Sequence, residues 1–458
     1  MAAVRFDRLS LRDAGSREEI LLLLEEALEA VSPGRVIREH VAREGASLRI
    51  GDETYPLAGR RVLLLGAGKA SAAMAQELET ILGDALTAGV VVTRYDYSVP
   101  TKRVRVYEGG HPLPDANGAA GAEAVRVLAQ EAREEDLVLC LLSGGGSALL
   151  GLPVPGIDLE DLRELTGLLL SSGAAIDEVN AVRRHVTSLL GGGLAALLAR
   201  AHAVSLLLSD VPHDRIEAIA SGPTVPDPTT FRDAQEALRR LELWERVPRS
   251  VRERIEQGVA GAIPETPKPG DPLFARARAV LVGTNRTAVA SLAGEGERRG
   301  FAVRTLGEPV VGEARAVGER LAGLGRALAG TGTRGALLVA GGETTVVVRG
   351  SGVGGRNQEV ALAAAVALEG VAGVLVAALA TDGTDGPTSA AGAIVDGKTV
   401  RRARALGLDP KRALEENDSY PLLRATQDLL VTGPTRTNVA DLFLVFGKSG
   451  NQSAKDLQ

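Results

Sequence analysis

The 458-residue chain contains a single cysteine, Cys140, so a disulfide framework and a cysteine-rich metal site are both excluded. A reducing cytoplasm is the simplest setting for such a chain. Its five histidines fall at no metal-ligand spacing. His111 precedes Pro112, His185 lies within a helical stretch, and all except His111 read as core or surface residues. An excess of positive charge is also missing. Fifty-two basic residues face 58 acidic ones, a net charge of -6, which leaves no electrostatic footprint for nucleic acid or an anionic membrane. No apolar targeting core is visible, because Met1–Ser16 carries Arg5, Asp7, Arg8, Arg12 and Asp13. The longest apolar stretch, Val360–Ala380, is broken by Glu369, Gly370 and Gly373. It reads as an alanine-rich helix, a turn and a buried strand, since a membrane span needs about 20 predominantly apolar residues. Lysine is scarce as well, supplying only seven of the 52 basic residues. A lysine in a glycine turn therefore stands out.

The length suits two or three domains. The first helix is expected over Arg17–Ala30, with Ser16 as its N-cap and Ser32-Pro33-Gly34 as its stop. Beyond it, short apolar runs end in glycine or polar turns and are followed by helical patterns. Arg61–Leu65 leads into Gly66-Ala67-Gly68-Lys69, Leu137–Leu142 into Ser143-Gly144-Gly145-Gly146-Ser147, and Val204–Leu208 into Ser209-Asp210-Val211. Continuous apolar strands alternating with helices indicate a parallel sheet covered on both faces. Pro264–Pro272 holds four prolines in nine residues and reads as a linker. The rhythm then restarts before Gly283-Thr284-Asn285, Gly341-Gly342-Glu343, Thr381–Gly386 and Thr432–Thr435. Two α/β domains are therefore expected, 1–265 and 273–447, with a polar tail from Lys448 that is expected to fray. Ligands bind beyond the carboxyl ends of strands in open α/β sheets. The decorated strand ends therefore predict two half-sites facing each other across an interdomain cleft.

Several turns have the chemistry for anions or metal. Gly66–Lys69 combines a helix start with a point charge. It departs from the P-loop, because Leu63 stands where that motif needs its first glycine. It also departs from the dinucleotide fingerprint, because Ser71 replaces the third glycine and the next strand ends at Thr93-Arg94 without an acid. Ser143–Ser147 offers two hydroxyls and three glycines to phosphate or carboxylate oxygens, the alternative being a crowded backbone crossing. Asp382 and Asp385, three residues apart at a strand end, suit Mg²⁺; as an Asp-Gly turn pair they would need no metal. Gly355-Arg356 sets a guanidinium at a helix start, and Asp210 is a strand-end acid that could equally be a helix cap.

Taken in order, Gly109–Asp115, Ser143–Leu150, Asn180–His185, Ser209–Val211, Ala220–Thr224, Gly283–Asn285, Gly341–Glu343, Gly355–Glu359, Thr381–Gly386 and Thr432–Asn438 resemble the glycerate 2-kinase family, whose C-terminal part is the MOFRL domain. The resemblance runs from about residue 16 to 446. It implies a fold of two α/β/α domains, a Rossmann-like N-terminal parallel sheet and a C-terminal mixed sheet, with the active site in the interdomain cleft. It also implies ATP- and Mg²⁺-dependent phosphorylation of D-glycerate to 2-phosphoglycerate; the choice of the 2-hydroxyl rests on the resemblance alone. Lys69 and Arg356 map onto catalytic positions, Asp210 onto the acid that orients or deprotonates the hydroxyl, and Asp382 and Asp385 onto the metal site. Gly68, Ser143, Gly144, Gly145, Gly146, Ser147, His111, Asn180, Asn285 and Glu343 are the candidate substrate- and phosphate-binding residues. One departure is Leu190, where a lysine is expected before paired glycines; Arg183 and Arg184 are the nearby basic substitutes. The partners implied are small molecules, with no nucleic acid and no membrane, and a homodimer stays open. The alternatives are an NAD(P)H-dependent hydroxypyruvate reductase, which the broken dinucleotide fingerprint disfavours, and a non-catalytic sugar-acid-binding protein.

Overall fold

The protein is described by a computed structural model covering residues 4–328 and 334–448. The tail from 449 onward, expected to fray, lies outside the described residues. The chain divides into two compact units, Pro33–Gly283 and a second formed by Met1–Ser32 with Thr284–Gln458.

In the Pro33–Gly283 unit, strands β1 (Val41–Glu44), β2 (Ser47–Ile50) and β3 (Glu53–Pro56) make a small antiparallel sheet. The main sheet contains β4 (Val62–Ala67), β5 (Leu86–Arg94), β6 (Val104–Gly109), β7 (Leu137–Ser143), β8 (His202–Leu208) and β9 (Ala277–Gly283). Its order is β6-β5-β4-β7-β8-β9, and every pairing is parallel. All residues of β4 and β7 are buried, as strands covered on both faces require. The chain winds one way through β4, β5 and β6, and the other way through β7, β8 and β9. The order thus reverses between β4 and β7, which makes their carboxyl ends a topological switch point.

The second unit has a mixed sheet of β10 (Ala302–Thr305), β11 (Val310–Glu313), β12 (Ala336–Thr345), β13 (Val374–Ala380), β14 (Gly392–Asp396), β15 (Leu429–Leu430) and β16 (Asp441–Gly447). Its order is β10-β12-β16-β13-β14-β15, with β11 also pairing with β12. Strand β16 runs antiparallel between β12 and β13. Its first residue, Asp441, therefore lies at the edge where β12 and β13 end, opposite Gly342 and Ala380. The α/β class, the parallel sheet and the mixed sheet agree with expectation. The Val360–Ala380 stretch also divides as read, into the helix Arg356–Ala367, a turn and β13. Among the described residues no helix is long and apolar enough to cross a membrane.

The unit boundary differs from the expected one in two respects. The Pro264–Pro272 stretch lies inside the first unit, because β9 comes after it and completes that unit's sheet. The stretch is also pinned there: Thr266 Oγ1 donates to Asp227 Oδ2 at 2.8 Å, and Asp227 N donates to Pro267 O at 2.9 Å. Residues 1–32, assigned by sequence to the first domain, belong instead to the second unit. Their helix, Ala14–Ala30, packs against the helix Asn285–Arg298. It starts two residues before Ser16, so Ser16 is not its cap; the Ser16 side chain lies outside the described residues.

A buried ion network fastens this helix. Arg17 donates to Ile394 O at 3.0 Å and to Asp428 Oδ1 at 2.9 Å. Arg402 Nη2 reaches both oxygens of Asp428 at 2.9 and 3.0 Å. Arg17 and Asp428 are almost wholly shielded from solvent. Removing one member of such a network leaves an uncompensated buried charge, at a cost of about 3–5 kcal/mol. Asp428→Ala is expected to lose about that much stability, seen as an earlier urea transition by circular dichroism. An unchanged midpoint would contradict the role given to Asp428.

Candidate active site

At the switch point of the parallel sheet, the turn after β4 is locked to the turn after β7. Lys69 N donates to Gly144 O at 2.9 Å, and Ala70 N donates to Ser143 Oγ at 3.0 Å. Gly68 has φ +134°, and a side chain there would place Cβ 2.1 Å from Ser143 Oγ, so only glycine fits. Lys69 is buried. A Cβ on Gly145 would lie 3.1 Å from His111 Cδ2 and 3.6 Å from Lys69 Cγ. These three predicted residues thus come together.

The serine–glycine loop differs from the expected anion cradle. Ser143 is fully buried, and its hydroxyl accepts the N–H at the start of the helix Ser71–Leu82. Gly146 crosses Ala220 so closely that a Cβ would lie 2.6 Å from the alanine methyl. Its helix, Gly146–Leu149, is a single turn. Gly146 therefore serves a crowded backbone crossing, and Ser147 is the loop's second hydroxyl. Ser147 Oγ lies 2.8 Å from Ser221 Oγ, and Ser221 Oγ donates to Asn180 Oδ1 at 2.8 Å. Asp210 is half-buried just beyond β8.

Histidine behaves as the sequence suggested at His185. Its ring is buried, with Nδ1 2.6 Å from Ala181 O. Burial is the main influence lowering its pKa. Leu190, at the position of the expected lysine, packs into the sheet's apolar core. Of its two basic substitutes, Arg184 is committed to structure, with Nη1 3.0 Å from Asp227 Oδ1 and Nε donating to Ser221 O at 3.4 Å.

At the edge of the mixed sheet the decisive residue is one that the sequence reading missed. Arg356 donates from Nε to Asp441 Oδ2 at 2.6 Å and from Nη2 to Asp441 Oδ1 at 2.8 Å. Glu343, at the end of β12, lies 3.2 Å from Arg356 Nη2. Burial by itself would lower the pKa of the guanidinium, but the charge of Asp441, its hydrogen bonds and the charge of Glu343 hold it well above its ordinary value. The arginine is therefore permanently cationic. Its side chain keeps 31% of its surface exposed, which leaves access for an anion. Asp441 escaped notice because only strand carboxyl ends were read as site positions. An antiparallel strand instead brings its first residue to that edge.

Asn285 and Asp385 act as supports here. Asn285 Nδ2 donates to Val439 O at 2.7 Å and to Asp441 O at 2.9 Å, holding the entry to β16. Asp385, expected at the metal, accepts from Asn357 N at 3.2 Å and from Gln358 N at 2.9 Å. Both of its oxygens thus cap the helix that carries Arg356. Gly355 permits this, since a Cβ there would lie 2.3 Å from Asp385 Cγ. Asp382 Oδ1 accepts from Thr384 N at 3.0 Å. Among the described residues no group of three or more His, Cys, Asp or Glu could enclose a metal. Mg²⁺, however, usually takes one or two carboxylates together with phosphate oxygens and water. The Asp382 carboxylate is of the kind that requirement calls for, and both Asp385 oxygens serve the helix cap.

Against this geometry the similarities to known proteins are decisive. Residues 19–256 match the profile described as a domain of unknown function (DUF4147), and residues 336–441 match the MOFRL family. The glycerate 2-kinase of Pyrococcus horikoshii is 41% identical over 93% of this chain and 96% of its own. The D-glycerate 2-kinase of Thermotoga maritima is 39% identical over 92% and 96%. The chain belongs to the glycerate 2-kinase family. A crystal structure of a Thermotoga maritima glycerate kinase aligns with a TM-score of 0.79 and 38% identity, covering 94% of this chain and 99% of that one. An Agrobacterium vitis relative with a provisional hydroxypyruvate reductase name is 41% identical over 83% of this chain and 86% of its own.

For this member of the family, the cap at Asp385 has a pH signature. Burial is the largest influence on its carboxyl and raises the pKa; the Gln358 N–H, the Arg356 charge and the Asn357 N–H oppose it, and Asp441 adds to it, for a net value of about 6 against an ordinary 3.8. A folded pKa above the unfolded one favours folding while the group is protonated. That contribution is complete below about pH 4 and is lost as pH rises through about 6, a fall on the order of 3 kcal/mol. The stability of the wild type minus that of Asp385→Asn, from urea titrations at pH 4.5 and 7.5, is expected to shrink as pH rises. A difference that is flat or grows would contradict this assignment.

Proposed function

We propose that the chain transfers the γ-phosphoryl group of ATP to the 2-hydroxyl of D-glycerate, giving ADP and 2-phosphoglycerate. The observation that carries this reading is the buried Lys69 at the switch point of the parallel sheet. It occurs in a chain that aligns over nearly its whole length with relatives named glycerate 2-kinases. Phosphoryl transfer asks a protein mainly for positioning and for stabilisation of charge. Lys69 and Arg356 are the cations suited to oxygens of the transferring group. Asp210 orients the acceptor hydroxyl and takes its proton. His111 and Ser147 line the acceptor side, and Glu343 with Asp441 keeps Arg356 in place. Asp382 is the residue that would hold Mg²⁺. When bound, the metal neutralises charge on the nucleotide phosphates.

The dinucleotide alternative is poorly supported by local geometry. At the position of the third fingerprint glycine, the Ser71 hydroxyl is buried and donates to Gly68 O at 2.8 Å. The strand β5 ends at Thr93-Arg94, with no acid for a ribose. Cytoplasmic operation is consistent with the lone thiol, since burial pushes Cys140 up to about 12 and keeps it out of exchange chemistry.

A coupled assay tests the reaction. With ATP, Mg²⁺ and D-glycerate, enolase alone is expected to convert the product and give signal. Signal only after adding phosphoglycerate mutase would mean phosphorylation at C3. Turnover of hydroxypyruvate with NADH or NADPH, without ADP formation, would replace the kinase reading with the reductase. In the same assay Arg356→Ala is expected to lower kcat about 10³-fold, the scale of an arginine that stabilises transition-state charge. A loss of only a few-fold would remove Arg356 from that role.

A further inference from the structure

The helix Ile176–Val186 carries two donors that the protein itself leaves unused. Asn180 and Arg183 are three residues apart and so share a face. Asn180 is buried, and its Nδ2 has no acceptor. Its Oδ1 is occupied by the Ser221 hydroxyl, which fixes the direction of the chain of hydrogen bonds. Ser221 spends its proton on Asn180 and must accept from Ser147, so that chain terminates in the unsatisfied amide N–H.

Arg183 contrasts with its neighbour Arg184, whose guanidinium is fully engaged. Among the described residues neither a carboxylate nor a hydrogen-bond acceptor pairs with the Arg183 guanidinium, and burial alone lowers its pKa, to about 10. It lines a narrow slot of about 10 Å³ together with Ser147, Thr166, Thr187 and the apolar Pro114 and Leu162. Arg183 is the one charged residue of that lining. Thr166 and Thr187 both donate to their own helices' carbonyls, at Leu162 O and Arg183 O, 2.7 and 2.8 Å away. The slot therefore offers the Arg183 N–H groups and their positive charge beside hydroxyls that already donate elsewhere.

A half-buried cation and a buried amide donor are costly to leave unpaired, and their natural complement is an oxyanion of charge -1. A nucleotide's phosphates carry more charge than one guanidinium can neutralise, whereas a carboxylate matches it and accepts two parallel hydrogen bonds. We propose that Arg183 and the Asn180 amide bind the carboxylate of the three-carbon hydroxyacid. The assignment rests on the D-glycerate reading above. It adds the group that separates hydroxyacids from uncharged polyols and amides.

The test is the steady-state kinetics of the full-length protein with Arg183→Ala and Arg183→Lys, alongside calorimetric titration of D-glycerate. Arg183→Ala is expected to raise KM for D-glycerate at least tenfold, leave KM for ATP within about twofold, and abolish the preference for D-glycerate over its neutral amide. Arg183→Lys restores part of the preference, which a purely structural role would not do. A KM for D-glycerate within twofold of wild type, or a rise confined to ATP, overturns the proposal. The binding titration separates this failure from that of the reaction. Arginine-dependent binding of D-glycerate without ADP formation would sink the kinase reading but keep the carboxylate site. Formation of 2-phosphoglycerate with unaltered D-glycerate binding in Arg183→Ala would do the reverse.

Discussion

A cation at the edge of a sheet is useful to catalysis only if it cannot swing away, and in the mixed-sheet unit this constraint is met by the pairing of Arg356 with Asp441. The two bonds of 2.6 and 2.8 Å form a fork that fixes the plane of the guanidinium. Asp441 is held in turn by its strand, which pairs on both sides, and by the Asn285 amide on its carbonyl. Arg356 is held by the helix it starts, whose first N–H groups are capped by Asp385. Gly355 allows the cap to approach. Asp441, Asn285 and Asp385, three residues from distant parts of the sequence, thus hold one side chain in place, and it still keeps part of its surface open.

The parallel-sheet unit solves the same problem by other means. An ammonium is a point charge without the planar fork of a guanidinium, so Lys69 is fixed through its backbone: its own N–H bonds to Gly144, and the next N–H bonds to Ser143. Glycine at position 68 lets the two turns meet. The clamp engages the buried Ser143 hydroxyl as an acceptor. Beyond the clamp, the hydroxyls of Ser147 and Ser221 form a chain to Asn180, whose amide N–H remains unspent.

Strand runs and glycine turns were legible because parallel strands buried on both faces must be apolar throughout and because ligand-facing turns need polar or small residues. Hence Lys69, Asp210, Asp382 and Arg356 stood out one by one as candidates. The division into units was less so: a proline-rich stretch resembles a linker, but hydrogen bonds from Thr266 and to Pro267 tie it down. The first helix, by its place in the sequence, looks like part of the parallel-sheet unit, yet Arg17 binds Asp428, over four hundred residues away. Asp441 was invisible for a topological reason, since nothing local announces that β16 runs against its neighbours. The cap at Asp385 was not legible, because a carboxylate after a strand looks the same whether it faces a metal or caps a helix from another segment.

The central claim, that Asp441 acts through the geometry it imposes on Arg356, is tested most directly by a double-mutant cycle on kcat/KM with Asp441→Asn, Arg356→Lys and the double variant. Residues acting as a unit are strongly non-additive. The account predicts that each single variant loses about 100-fold or more and that the double variant loses little beyond the worse single one. Losses that simply multiply, or an Asp441→Asn enzyme within a few-fold of wild type, would contradict it.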